Sequence, residues 1–121
     1  MPLVVISTNI KRSSIPEGFL KGFSKVYSEA VNREERMINC SLYAGVEMIR
    51  NGTDEPACVI TIRHTIPQDT DGRRETTRRL LEYAQTQLKL TDENMKRFSV
   101  VFLTPKRDEI GTCSGMLCDR D

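Results

Sequence analysis

Leu3-Val4-Val5-Ile6-Ser7-Thr8-Asn9 opens one half of the chain, and Val59-Ile60-Thr61-Ile62-Arg63-His64-Thr65-Ile66 opens the other. Both stretches are dominated by β-branched side chains, which suit a pleated, packed surface, so each predicts a strand. The first, ending in polar Ser7, Thr8 and Asn9, suits a strand buried on both faces. The segments after each run set the topology. Behind the first, Ser14 and Glu17 have the S-x-x-E spacing of a capping box, and Pro16 falls where a first helical turn tolerates a missing donor. A helix is predicted from that point. Phe19, Leu20, Phe23, Val26, Tyr27, Ala30 and Val31 recur at helical offsets, while Lys21, Lys25 and Glu29 fall on the opposite side. After the charged break Arg33-Glu34-Glu35-Arg36, a second strand is predicted over residues 38–43, with turn signals at Asn51 and Gly52.

The second half repeats this order. Pro56 precedes the strand, and Asp69, Asp71 and Gly72 supply turn and capping chemistry before a helix striped by Leu80, Leu81, Ala84 and Leu88, with Thr77 at its border. A polar link, residues 91–97, leads to a strand over 98–103, and a short final strand is predicted around Ile110. The pattern is β-α-β twice over, although the halves match in pattern and hardly in residue identity. Two such units pair into one four-stranded mixed sheet with two helices on one face, an α/β (α+β) fold whose other sheet face needs a cover. Copies of the same chain are the obvious cover.

Composition agrees with one small domain over residues 1–121: 38% of residues are hydrophobic, 29% charged and 6% aromatic. Eighteen Lys and Arg against 17 Asp and Glu leave a formal net charge of +1, which gives no global pull toward nucleic acid or anionic membrane. With no Trp, 3 Tyr and 4 Phe, few stacking platforms exist for single strands. No nucleic-acid partner is predicted. Apolar runs such as Leu3–Ile6 fall far short of the roughly 20 residues that cross a bilayer, so no membrane insertion is predicted either. Asn9, Lys11 and Arg12 arrive too early for a secretory signal, which predicts a cytoplasmic chain whose extracellular release would take a non-classical route. In that compartment Cys40, Cys58, Cys113 and Cys118 are expected as free thiols, and one His without a cysteine cluster predicts no metal site. The N-x-S/T sequons at Asn39 and Asn51 would need a secretory route to be used.

Several segments together carry a family likeness. M-P-L-V-V-I-S-T-N-I at 1–10, S-I-P-E-G-F-L at 14–20, E-P-A-C-V-I-T-I at 55–62, L-K-L at 88–90 and Ile110-Gly111 cover almost the whole chain. This set resembles the macrophage migration inhibitory factor (MIF) and D-dopachrome tautomerase family of the tautomerase superfamily. The resemblance implies a β-α-β pseudo-repeat assembled as a homotrimer, with pockets at the subunit boundaries. It further implies a cofactor-free keto–enol tautomerase acting on a small aromatic keto acid or enol, and a cytokine-like role through a cell-surface receptor as the alternative. In the family the initiator methionine is removed and the exposed proline is the base, a role that falls here on Pro2. A free α-amine starts near pKa ~7.7–8.0, so modest burial beside positive charge makes it a base at neutral pH. Retained, Met1 would turn the Pro2 nitrogen into an amide with no useful basicity.

The remaining site residues follow the family less closely. Arg33 aligns with the lysine that meets the substrate carboxylate, and its guanidinium offers two parallel hydrogen bonds, although Glu34 and Glu35 compete for it. Thr65 or Ile66 takes the place of an isoleucine and backbone donor, and Ile110 is placed at the pocket. His64 lies beside Thr65, and a lone strand-end histidine is more often a partly exposed structural residue than an acid or base. Where the better-known enzymes carry a tyrosine and an asparagine reaching into a neighbour's pocket, this chain has Ser99 and Val101, and Thr112 and Leu117 replace aromatic rim residues. Weak or altered activity is expected, since each lost aromatic pair forfeits roughly 0.5–1.5 kcal/mol. The family's C-x-x-C is absent at Ala57-Cys58-Val59-Ile60, so no thiol oxidoreductase activity is carried over. Arg12 matches a receptor-contact arginine, but its acidic companion is Gly45 here. Arg73, Arg74, Arg78 and Arg79 are expected as a solvated face balanced by Asp71, Glu75 and Glu82.

Overall fold

Both β-branched runs become central strands. In the computed structural model, which describes residues 2–119, β1 (Leu3–Thr8) and β3 (Cys58–Arg63) run antiparallel side by side. Each then receives a parallel partner from its own half: β2 (Asn39–Tyr43) beside β1, and β4 (Phe98–Leu103) beside β3. The order β2-β1-β3-β4 is therefore two β-α-β units joined at their first strands, with β2 and β4 left as edges. The crossovers are α1 (Phe19–Val31) and α2 (Thr70–Leu88), which pack against each other.

The core forms where the helices meet the sheet. Val4, Ile6, Ile60, Ile62 and Phe98 from the strands meet Phe19, Phe23, Tyr27, Leu80 and Ala84 from the helices, all buried. Tyr83 completes an aromatic group with Phe19 at 5.5 Å and Phe23 at 6.2 Å between ring centroids, and its hydroxyl donates to the Phe19 carbonyl at 2.9 Å. On β1 burial alternates, so only one face is closed: Leu3 and Val5 on the other remain half-buried. The expectation of burial on both faces is thus not met within a single chain.

Boundaries depart from the sequence reading in four places. Ser14 and Glu17 make no capping box, because residues 12–14 form a 3-10 turn and the helix begins at Phe19 behind Gly18, whose φ of 84° is left-handed. A helix interrupted there cannot reach back to Ser14. Second, β3 ends at Arg63, leaving His64, Thr65 and Ile66 in the loop that leads to α2. Third, the link over 91–97 contains a one-turn helix, α3 (Asp92–Met95), closed by a true capping box between Thr91 and Asn94. Fourth, the last pairing is β5 (Gly111–Thr112) with β6 (Gly115–Met116), and Ile110 lies just before it. The α2 start is as expected, with Asp69 accepting from the Gly72 amide at 2.7 Å.

Polar side chains lock the loop that enters β3. Asn9 accepts from the Ala57 amide at 2.8 Å while its own amide donates to the carbonyls of Asp54 and Glu55, and the Thr8 hydroxyl donates to the Ala57 carbonyl at 2.7 Å. Buried Arg97 adds a bond to the Pro56 carbonyl at 3.0 Å. Among the described residues no helix is long and apolar enough to cross a membrane.

Candidate functional site

Pro2 stands immediately before β1 and is fully buried, its carbonyl accepting from the Asn39 amide at 3.1 Å. His64 directly follows Arg63, the ladder partner of Leu3, so it lies at the same end of the β1–β3 pair as Pro2. His64 is itself fixed by its backbone amide, which donates to the Leu103 carbonyl at 3.1 Å.

Arg33 reaches the same end of the sheet from α1. The helix stops at Asn32, left-handed at φ 54°, and the Arg33 backbone is then clamped by Ser28 from both sides: its amide donates to the Ser28 carbonyl, and the Ser28 hydroxyl donates to its carbonyl. Glu34 pairs with Arg36 at 2.6 Å instead of competing for Arg33, whose side chain is exposed.

Electrostatics tie these groups together. Burial lowers the His64 pKa to about 4, and the positive charges of the amino terminus and Arg33 push it the same way. Burial also pushes the Tyr27 phenol up to about 12, with Cys40 adding to the rise and Arg33 opposing it. At neutral pH, His64 is therefore an uncharged imidazole and Tyr27 an uncharged phenol beside a guanidinium. They share a cavity of about 10 Å³ with Ile66, Gln68, Arg73 and Thr104, at the lower limit of the room one water needs. Arg73 departs from its expected place on a solvated basic face. Arg74, Arg78 and Arg79 do pair with Asp71, Glu75 and Glu82, but the Arg73 guanidinium lies over the Phe102 ring at 5.5 Å with its Nε buried and without a hydrogen-bond partner.

Sequence-chosen residues divide into those near Pro2 and those away from it. Thr65 is half-buried and Ile66 exposed, both just past His64. Ser99 and Val101 pair with Val59 and Thr61, at the levels of Ser7 and Val5 on β1. With a rise of about 3.3 Å per residue, Ser99 is on the order of 16 Å along the sheet from Pro2. Its hydroxyl accepts from Arg50 Nη1 at 3.3 Å, and Val101 faces outward. Ile110 belongs to the carboxy-terminal hairpin, its carbonyl accepting from the Leu117 amide at 2.8 Å. Tyr27 and Arg73 were missed as members of the site, since an aromatic in an apolar helical stripe and one arginine in a basic run look like core and surface. Met1, whose removal the proline base requires, lies outside the described residues. A larger concavity lies elsewhere: an open groove of about 820 Å³ between residues 12–21 and β2 that includes neither Pro2, Arg33 nor His64.

A doubled β-α-β sheet whose first central strand is headed by a buried proline defines the protein class. The family model for macrophage migration inhibitory factor (MIF) matches residues 1–112, and the chain belongs to that family. Macrophage migration inhibitory factor of Mus musculus is 30% identical over 66 residues, 54% of this chain and 56% of that protein. The homolog from Brugia malayi is 32% identical over 63 residues, 52% and 55% of the two chains. These matches thus span little more than half the length of the curated relatives. In solved structures the fold recurs in the macrophage migration inhibitory factor of Trichinella spiralis, with a TM-score of 0.83 at 18% identity, covering 94% of this chain and 98% of that one. The Oncomelania hupensis protein gives 0.85 at 16% identity, covering 96% and 82%.

Proposed function

We propose that this chain is a keto–enol tautomerase of the MIF family, working as a homotrimer, with Pro2 as general base once Met1 is removed and Arg33 as anchor for the substrate carboxylate. The observation that carries this reading is the convergence of a buried Pro2, a cationic Arg33 and an uncharged His64 at one end of the sheet. Freed as a secondary amine, Pro2 stands fully buried at the head of β1, and burial disfavours an ammonium form. An amine so tuned takes the proton from the carbon beside a keto group and returns it to oxygen, and the reaction requires no cofactor. A small aromatic keto acid or its enol fits that chemistry, its carboxylate meeting the Arg33 fork.

The trimer supports the same reading. One chain offers only about 10 Å³ beside His64, too little for a substrate, so the remaining walls come from another copy. Val101 and Leu103, 40% and 44% exposed on the outer sheet face, are the surface such a copy would cover, and they would bring Ser99 and Val101 to a neighbour's pocket. Thr65, Ile66 and Ile110 complete the set of substrate-side residues in this reading.

A second reading, cytokine-like binding to a cell-surface receptor over a vestigial pocket, draws on Ser99, whose hydroxyl is engaged by Arg50, and on Val101, which has no polar group. Ultraviolet-monitored tautomerisation of phenylpyruvate, using protein shown by mass to lack Met1, separates the two. Activity in the parent that disappears in Pro2→Gly supports the enzyme; a folded trimer with no activity, or equal activity in Pro2→Gly, sinks it.

A further inference from the structure

We propose that His64 is a further catalytic residue, an uncharged hydrogen-bond donor to the substrate oxygen that gains negative charge as Pro2 removes the carbon-bound proton. This inference rests on the tautomerase reading and adds a role to it. Enolisation places charge on a carbonyl oxygen, and a donor aimed at that atom is among the most effective ways to lower the barrier. The two strand positions nearest in role, Ser99 and Val101, supply little: one is a short hydroxyl whose oxygen also accepts from Arg50, and the other side chain has no donor.

His64 meets the requirement by placement. It sits just past Arg63 at the Pro2 end of the central strand pair, its backbone is pinned to Leu103, and it is half-buried, so it is held in place yet partly open. Among the described residues, the groups around it are Arg33 and Tyr27 from the α1 side and Arg73 from α2. Among the described residues lining its cavity none is a carboxylate, so nothing there favours an imidazolium. Its low pKa agrees with that setting. A neutral imidazole has one N–H to give and one nitrogen to accept, and as a donor it adds no positive charge beside an ammonium that must form on Pro2.

In the step itself the C–H electron pair becomes the new carbon–carbon double bond, the carbonyl π pair moves onto oxygen, and the proton moves to the Pro2 nitrogen. Pro2 then hands that proton to the oxygen, giving the enol and the free amine. His64 donates its hydrogen bond throughout and keeps its own proton, so the step is an isomerisation with no co-reactant.

The test measures phenylpyruvate tautomerisation by Met1-free parent protein, Pro2→Gly, His64→Ala, His64→Asn and His64→Gln, with trimer and fold checked by light scattering and circular dichroism. His64→Ala is expected to lose roughly 100-fold in kcat, the scale of deleting one oxyanion donor, with KM within about threefold. One of the two amides, which return an N–H to the position of an imidazole nitrogen, should recover at least about tenfold of that loss. Any limb of the parent kcat near pH ~6.5 should persist in the His64 variants as that of the Pro2 base, because a neutral donor does not titrate there. A His64→Ala value within about threefold of the parent, amides no better than alanine in a folded trimer, or a histidine limb near pH ~6.5 that the substitutions abolish would overturn the donor role. If alanine at this position prevents folding, the comparison of the two amides with the parent decides, with equal loss in both overturning it. An inactive parent instead removes the tautomerase reading and this inference with it, while an active parent lost in Pro2→Gly but indifferent at His64 removes the inference alone.

Discussion

Asn9 closes the gap between the end of β1 and the start of β3 with a single amide side chain that accepts from the Ala57 N–H and donates to two carbonyls. Ala57 is fully buried, so Asn9→Ala leaves its amide without a partner or nearby water. We expect about 2 kcal/mol of lost stability, measured by urea unfolding, with Asn9→Asp costing less because the acceptor is kept. His64 yields a prediction of opposite origin. Its folded pKa of about 4 lies below the ordinary 6.5, so between those values the unfolded chain binds more protons than the folded one. Stability therefore rises with pH through that window and falls away as pH drops across it. His64→Gln should flatten the urea midpoint between pH ~4 and ~6.5, by an amount reduced by the ring's partial exposure. An unchanged slope would show that other groups set it. Sequence reading proposes Pro2 and Arg33 because motif and position mark them. It could not give His64 a role, since a histidine just past a strand gains meaning only from the groups that the fold brings beside it.

Gly22 sits inside α1, where a helix former would ordinarily be favoured by about 1 kcal/mol. It is kept open by α2. A Cβ built there would lie 2.1 Å from the Tyr83 hydroxyl oxygen, which donates to the Phe19 carbonyl from the facing helix. Gly22→Ala must push Tyr83 out, losing both that bond and its packing on Phe19 and Phe23, and we expect a net loss of about 2 kcal/mol despite the better propensity. Tyr83→Phe should remove much of the conflict, so the double variant will lose less than the sum of the two single changes in a thermal-unfolding cycle. Element-level patterns were otherwise well written in the sequence: both apolar helical stripes and all four sheet strands fall within a few residues of expectation. The α1 start was not, because Gly18 turns the chain left-handed and separates Glu17 from the helix it was expected to cap. Likewise β3 stops before His64, since the loop beyond it must turn toward Asp69, where α2 is capped.

The two halves meet at β1 and β3, and this leaves a sheet with two open edges and one face without helices. That asymmetry was legible from the order of elements alone, because two crossovers landing on one side must leave the other bare. The identity of the cover was not, since periodicity marks an apolar face without naming the surface that lies on it. The proposed trimer makes a definite demand on this face. Val101 and Leu103 point from edge strand β4 into the open side, and Leu103 stands level with Leu3, next to Pro2, through the β4–β3–β1 registers, while Val101 lies two residues nearer the sheet centre. A charge introduced at Val101 would be carried into the subunit boundary, where an unpaired buried ion costs several kcal/mol, but in an isolated chain it would simply face water. Val101→Arg should therefore leave the core intact, with helical circular dichroism retained, while light scattering shows the mass fall from three chains to one. Tautomerisation should fall with it, because a lone chain keeps Pro2, Arg33 and His64 but loses the walls that hold a substrate against them. A trimer that survives Val101→Arg with full activity would place the boundary on another surface, while a monomer that remains fully active would show that Pro2 and its neighbours hold the substrate without a second copy.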